Sequence, residues 1–176
     1  PPGEFIHDVV ILEFDFIPTT DTISFDYVFF SEQYCQSGNG VTNDAFGFLL
    51  SGPLGNDINI ARLPISGDIV SPATLNPSTV DAASFLHNTD PTFDNPCFPF
   101  PPPPERFAGI AYDGFSVPLT AVGRVVPCAR HTLKIVLLDA GDFLSDSGIL
   151  LEAGSFLAGL VNKPEPNTTA EVGSLT

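Results

Sequence analysis

Apolar and polar side chains alternate along the N-terminal part of the chain with the period of two that is typical of β-strands. The segment 8–17 places four apolar side chains on one face and two carboxylates on the other, namely Val10, Leu12, Phe14 and Phe16 against Glu13 and Asp15. Pro18 ends this segment, and the alternation resumes over 22–30 after a break of hairpin length. We therefore predict two half-buried strands joined by a hairpin turn.

The same pattern extends along most of the chain and predicts about nine short strands. They cover 8–17, 22–30, 45–51, 57–63, 107–112, 115–119, 121–126, 131–139 and 148–157. One segment, 78–86, has the apolar spacing of a helix, and it is two turns long at most. We therefore predict an all-β fold, an antiparallel, jelly-roll-like β-sandwich that forms a single domain over residues 1–161.

Two segments have the composition of loops. Residues 88–105 are rich in proline, which imposes extended geometry and removes backbone hydrogen-bond donors. This segment is interpreted either as a rigid surface loop held by Cys97 and its neighbouring phenylalanines or as a polyproline ligand for an aromatic groove. Residues 162–176 are predicted to be a linker or tail, and Asn167 begins a glycosylation sequon.

The charge of the chain narrows the range of partners. There are 21 Asp and Glu residues against 6 Lys and Arg, which gives a formal net charge of -15. A field this negative repels phosphate backbones and anionic lipids, so we expect neither nucleic-acid binding nor electrostatic docking to a membrane. A hydrophobic fraction of 43% is sufficient for a core and argues against a disordered acidic chain. Cations are the natural partners, and calcium is the first candidate.

Two acidic clusters lie next to predicted strands and give the calcium hypothesis a location. Asp139, Asp142 and Asp146 fall within eight residues, and Glu32 joins Asn43 and Asp44 in the second cluster. Ca²⁺ takes six to eight oxygen ligands, which loops between strands are able to supply. The spacing is not that of an EF-hand. The alternative interpretation is that these aspartates cap turns.

Motifs for catalysis are absent from the sequence. It contains no G-x-S-x-G elbow, no phosphate-binding glycine loop and no H-E-x-x-H. Asp146-Ser147-Gly148 is similar to the aspartic-protease triplet, but that chemistry needs a second copy, which the chain lacks. His131 begins a predicted strand and is interpreted as a surface or edge residue. We therefore predict that the protein is not an enzyme.

Several features predict an extracellular protein. No apolar run reaches the roughly 18 to 20 residues that span a bilayer, so no membrane insertion is expected. The chain has no Met and few Lys, and it carries the sequon at Asn167. Cys35, Cys97 and Cys128 lie far apart without the spacing of a zinc site. In an oxidising compartment two of them are expected to form a disulfide, and the sequence leaves open which two.

Five stretches, in order and in register, resemble the choice-of-anchor L domain family. They are 10–18, 27–34, 43–53, 112–120 and 138–156, and the resemblance extends over residues 8–157. It implies a secreted or surface-exposed bacterial β-sandwich module without established catalysis. The motif carboxylates of the family correspond to Glu32, Asp44, Asp113, Asp139, Asp142 and Asp146.

The chain departs from the family pattern at Gln33, where a glutamate is usual, so a neutral oxygen takes that position. It also begins close to the Val10 strand and is expected to be trimmed at both ends. An exposed sheet edge accepts a strand from a neighbour, either its N-terminal arm or its tail after Asn162, and a non-closing interface of this kind builds a filament. We therefore expect a calcium-stabilised structural or adhesive module whose partners are its own copies or other surface proteins. The alternative is a calcium-dependent carbohydrate-binding module, in which Tyr27, Tyr34 and Tyr112 are candidates for lining the glycan site.

Overall fold

The computed structural model describes residues 6–34, 44–88, 110–140 and 146–159. Nine β-strands lie in these ranges: Ile6–Phe16 (β1), Thr22–Ser31 (β2), Ala45–Gly52 (β3), Gly55–Asn59 (β4), Phe85–His87 (β5), Gly114–Ser116 (β6), Leu119–Arg124 (β7), His131–Ala140 (β8) and Ser147–Leu151 (β9). A single turn of 3-10 helix, Ala82–Ser84, precedes β5. The all-β fold predicted from the alternation is confirmed.

The strands form two antiparallel sheets. The first sheet has the order β1-β8-β3-β4, so β1 and β4 are its two edges. In the second sheet β2 is central: β7 and β6 pair in succession with one side of it, and β9 pairs with the other side. β5 extends this sheet by pairing with β6. The two sheets make the β-sandwich that the sequence predicts.

The core lies between β2 and β3, where the period of two is clearest. Ile23, Phe25, Tyr27 and Phe29 alternate with more exposed residues along β2, and all four are at most 4% exposed. They pack on β3, where Phe48 is 0% exposed and its ring centre lies 4.8 Å from that of Tyr27. Edge-to-face aromatic pairs of this kind add to the stability that burial of apolar area provides.

The strand predicted over 57–63 lies earlier in the chain, at Gly55–Asn59, for a local reason. Pro53 and Leu54 form a tight turn, so β4 begins at Gly55. It ends at Asn59 because the side-chain oxygen of Asn59 accepts the backbone N–H groups of Phe48 and Ala61, at 3.1 and 3.0 Å, in place of a further ladder bond. Ile60, Ala61 and Leu63 are buried without being in a strand, since burial and alternation do not require a ladder.

The helix predicted over 78–86 is replaced by turns, the 3-10 turn and β5. Asp81 does not cap a helix. Its buried carboxylate instead accepts the backbone N–H groups of Ile65 and Ser66, at 2.9 and 3.1 Å. Burial alone would raise the pKa of Asp81, but these hydrogen bonds, together with one from the Ser66 hydroxyl, lower it. The carboxylate thus joins the 65–66 turn to this segment.

Other predicted boundaries also differ from the structure. The segments 115–119 and 121–126 correspond to β6 and β7, each displaced toward the N-terminus. β9 ends at Leu151 rather than at 157, and Leu157 returns only as an isolated bridge to Ser24. Residues 110–112 are not a strand, and the rest of the predicted strand 107–112 lies outside the described residues.

β1 is a strand as predicted, but the prediction that it is half-buried was wrong. Val10 is 64% exposed and Leu12 is 55% exposed, although both belong to the apolar face. β1 is an edge of the first sheet, and only the end of its inner face is covered, where Phe14 and Phe16 contact Phe156. Alternation identifies a strand, but it does not show whether another layer lies opposite it.

Candidate functional site

The sheet topology brings four of the predicted carboxylates to one end of the sandwich, which we call the acidic end. Glu32 follows the end of β2, and Asp44, Asp113 and Asp146 directly precede β3, β6 and β9. Because β6 and β9 both run antiparallel to β2, their first residues lie opposite Ser31, the last residue of β2. Glu32 and Asp44 of one sequence cluster and Asp146 of the other are therefore neighbours in space.

The backbone of Asp146 is hydrogen-bonded to both the backbone and the side chain of Glu32. The N–H of Glu32 donates to the carbonyl of Asp146 at 2.9 Å, and the N–H of Asp146 donates to Glu32 Oε2 at 3.1 Å. Tyr112 lies close to both: burial raises the pKa of its phenol, and the negative charges of Asp146 and Glu32 raise it further. Two carboxylates from separate loops thus face one partly exposed tyrosine.

Asp44 has a different environment, because its side chain is completely buried. Gln33 Nε2 donates to Asp44 Oδ1 at 2.6 Å, and the Ser147 hydroxyl donates to Oδ2 at 2.5 Å. The backbone N–H of Asp44 in turn donates to Gln33 Oε1 at 2.6 Å. The carboxylate therefore joins the end of β2, the start of β3 and the start of β9 at one point.

The amide of Gln33 matches this arrangement, since it supplies one donor to the carboxylate and one acceptor to the Asp44 backbone. A glutamate at this position would direct a second carboxylate oxygen at Asp44. A proton or a cation would then be needed between the two oxygens. The neutral residue that departs from the family pattern thus satisfies a buried aspartate with the protein's own groups.

The remaining predicted ligands are only partly described. Asp113 is held by its backbone, which donates to the Ser31 carbonyl at 3.1 Å and accepts from the Asn88 N–H at 2.8 Å. The backbone of Asp139 pairs with His7 in the ladder of β1 and β8. The predicted ligands Asn43 and Asp142, and the predicted glycosylation site Asn167, lie outside the described residues. Within the described part of the chain, no group of three His, Cys, Asp or Glu side chains is arranged to hold a metal.

The three tyrosines differ in how far their side chains are exposed to a ligand. Tyr27 and Tyr34 are both 1% exposed and belong to the core, where burial holds the pKa of each phenol above its ordinary value. Tyr112 is partly exposed and lies 4.3 Å, centre to centre, from the ring of Phe30. Of the three candidates for a glycan site, Tyr112 alone lies at the acidic end with a partly exposed surface.

The structural roles of two side chains were not predicted from the sequence. His131 is 2% exposed rather than on the surface: its ring stacks on Phe16, and its Nε2 accepts the Val126 N–H at 3.2 Å. Ser147, part of the triplet that is similar to an aspartic-protease motif, donates to Asp44. A serine after an aspartate is too common to have indicated this role.

Cys128 is exposed and is not in a disulfide, whereas Cys35 and Cys97 lie outside the described residues. The predicted disulfide therefore has no support at Cys128. No helix in the described ranges is both long enough and apolar enough to cross a membrane.

Two antiparallel sheets whose loops gather carboxylates at one end define a β-sandwich module. The family model of the choice-of-anchor L domain matches residues 3–157, so the chain belongs to that family. The resemblance found in the sequence is confirmed, and the family supports a surface-associated β module with a cell-surface or extracellular location. Neither the curated proteins nor the solved structures gave a significant match to the chain.

Proposed function

We propose that the protein is an extracellular structural or adhesive module that exchanges strands with its own copies through the β1 edge, forming a filament. The observation that supports this most is the exposed apolar surface of β1. Val9 and Ile11 on one face are 49% and 57% exposed, and Val10 and Leu12 on the other are 64% and 55% exposed. An edge strand that is apolar on both faces is a template for pairing with another chain.

The charges of β1 are arranged so that they do not prevent such pairing. Glu13 forms an ion pair with Lys134 at 3.1 Å, and Asp15 forms one with Arg130 at 2.9 Å. The Thr132 hydroxyl also donates to the Asp15 carboxylate. This hydrogen bond, followed by the one from Arg130, lowers the pKa of the Asp15 carboxyl. Edge strands that avoid association commonly carry unpaired charges, especially lysine. The described part of β1 from Val9 to Phe16 has none.

Introducing a lysine into the β1 edge is expected to abolish assembly. In the full chain, Ile11→Lys places a charge at the centre of the apolar segment, where a paired strand would bury it. Because Ile11 is 57% exposed, we expect the monomer to remain folded. Sedimentation velocity and electron microscopy measure the result: particles larger than a monomer for the unmodified chain and monomers for the variant.

Val80→Lys is the matched control, because Val80 is an exposed apolar residue, 68% exposed, away from β1. It should assemble as the unmodified chain does. Assembly of the Ile11→Lys variant to the same size would show that β1 is not the contact.

We further propose that calcium binds at the acidic end. Its ligands would be Glu32 and Asp146 together with the sequence-predicted Asn43, Asp139 and Asp142. If the Kd is roughly 0.1 to 1 mM, 10 mM Ca²⁺ should stabilise the fold by about 1 to 3 kcal/mol. That corresponds to a rise in Tm of roughly 3 to 10 °C, which a chelator should reverse. Scanning calorimetry with Ca²⁺ and then with chelator measures it.

The double variant Glu32→Gln/Asp146→Asn should lose most of this calcium-dependent shift, because it removes the carboxylates of two proposed ligands whose residues are hydrogen-bonded to each other. Asp57→Asn/Asp68→Asn removes two exposed carboxylates elsewhere and should keep the shift. An equal response to calcium in both double variants, or no response in the unmodified chain, would refute this site.

A further inference from the structure

A groove with a volume of about 500 Å³ lies between β4 and β7. Since β1 and β4 are opposite edges of the first sheet, the groove and the β1 edge lie on opposite sides of the sandwich. Its walls are mostly aliphatic, with two arginines at the rim: Leu50, Leu54, Ile58, Val122, Arg62 and Arg124. The volume is in the range of sites that bind ligands or peptide side chains.

One wall of the groove is β7, an edge strand of the second sheet. β7 pairs with β2 along one side over its whole length, and no strand of the described residues pairs with its other side. β4 is less suited to accept a strand, because Asp57 interrupts it with a φ of 51°. The groove therefore presents the edge of β7 that no described strand pairs with, beside an apolar floor, which is the arrangement that binds an extended strand.

The two arginines distinguish this groove from the rest of an acidic surface. Arg62 donates to the Gly67 carbonyl at 2.9 Å, and neither Arg62 nor Arg124 has an ion pair with any carboxylate in the described ranges. The other two cations within those ranges, Arg130 and Lys134, are paired with β1. On a chain with a net charge of -15, two arginines beside an apolar groove favour an occupant that is both apolar and acidic.

The β1 edge has these properties. Its apolar residues are exposed, and its carboxylates Glu13 and Asp15 keep about half of their side-chain surface exposed, at 50% and 49%. Their ion pairs lie at the surface, where such pairs contribute little and leave the carboxylates able to interact with another cation. The acidic, apolar edge of one copy is thus complementary to the groove of another.

Building on the proposed strand exchange, we propose that the β4–β7 groove accepts the β1 edge of a second copy, so that copies assemble head to tail. Because donor and acceptor lie on opposite sides, each copy uses both, and the contact propagates instead of closing. Pairing of β1 with β1 of a second copy would instead give a closed dimer and leave the groove without a role.

Two full-length variants, each altered on one side, test this assembly. Ile11→Lys alters the β1 edge, and Arg62→Glu/Arg124→Glu reverses the charge of the groove at exposed positions. Each variant alone should be monomeric, with an apparent Kd for assembly raised about tenfold or more. An equimolar mixture should form a heterodimer of one copy of each and no larger particle, because each retains one intact surface. Mass photometry distinguishes these species, and circular dichroism checks that both variants are folded.

Ser78→Glu/Ala83→Glu adds negative charge at exposed positions away from the groove, and it should still assemble. If the arginine variant assembles like the unmodified chain while Ile11→Lys does not, strand exchange at β1 stands and the groove is excluded as its acceptor. A mixture that remains monomeric also overturns the head-to-tail contact. Normal assembly of Ile11→Lys contradicts the proposed function itself, whatever the arginine variant does.

Discussion

Asp44→Ala should lower the free energy of unfolding by about 3 kcal/mol. The substitution removes the acceptor for the buried Gln33 Nε2 and for the half-buried Ser147 hydroxyl, and leaves a void where three strand ends meet. A buried donor that loses its partner costs about 1 to 3 kcal/mol, and hydrogen bonds to a charged group are the stronger kind. Urea denaturation at neutral pH measures the change.

Asp68→Ala is the control for this substitution, because Asp68 is exposed and we expect it to change stability by less than about 0.5 kcal/mol. Repeating both measurements with Ca²⁺ and with a chelator separates two roles for Asp44. If its carboxylate acts only through Gln33 and Ser147, the loss should be the same under both conditions. A loss confined to the calcium-containing samples would instead make Asp44 a ligand.

The contrast between Asp44 and Glu32 shows how far the sequence predicts this site. The order of apolar and acidic residues in the sequence correctly indicates that acidic residues flank the strands. The antiparallel ladder of β2 and β9 then brings Glu32 and Asp146 together. It does not indicate that Asp44 is buried, because burial depends on Gln33 and Ser147 reaching it from other strands. Those contacts arise from strand order, which alternation along one segment does not encode.

The fold shows the same limit. Alternation predicts where most strands lie, since it reflects the pleat of each strand on its own. It misplaces β4 because Asn59 replaces a ladder bond with its side chain, and it misreads Phe85–His87 because that short strand exists only through pairing with β6. Both errors come from hydrogen bonds to other segments, which the alternation within one segment does not encode.

β1 and β3 have nearly the same alternation, but truncating a side chain in each should have very different effects on stability. Phe48→Ala should cost about 4 kcal/mol, because Phe48 is 0% exposed and its ring packs against Phe25 and Tyr27 with centres 4.8 Å from each. Leu12→Ala should cost the monomer less than about 1 kcal/mol, because Leu12 is 55% exposed. Chemical denaturation at low protein concentration measures both.

The way in which the cost of each substitution depends on protein concentration then tests the proposed function. If β1 is a contact between copies, the Leu12→Ala change should grow more destabilising as protein concentration rises and assembly buries the unmodified edge. The Phe48→Ala change should not depend on concentration in this way, since Phe48 is already covered within one copy. A cost for Leu12→Ala as large as that for Phe48→Ala in dilute monomer would show that the inner face of β1 is packed within the chain. The strand exchange proposed here requires that face to be available to a neighbour.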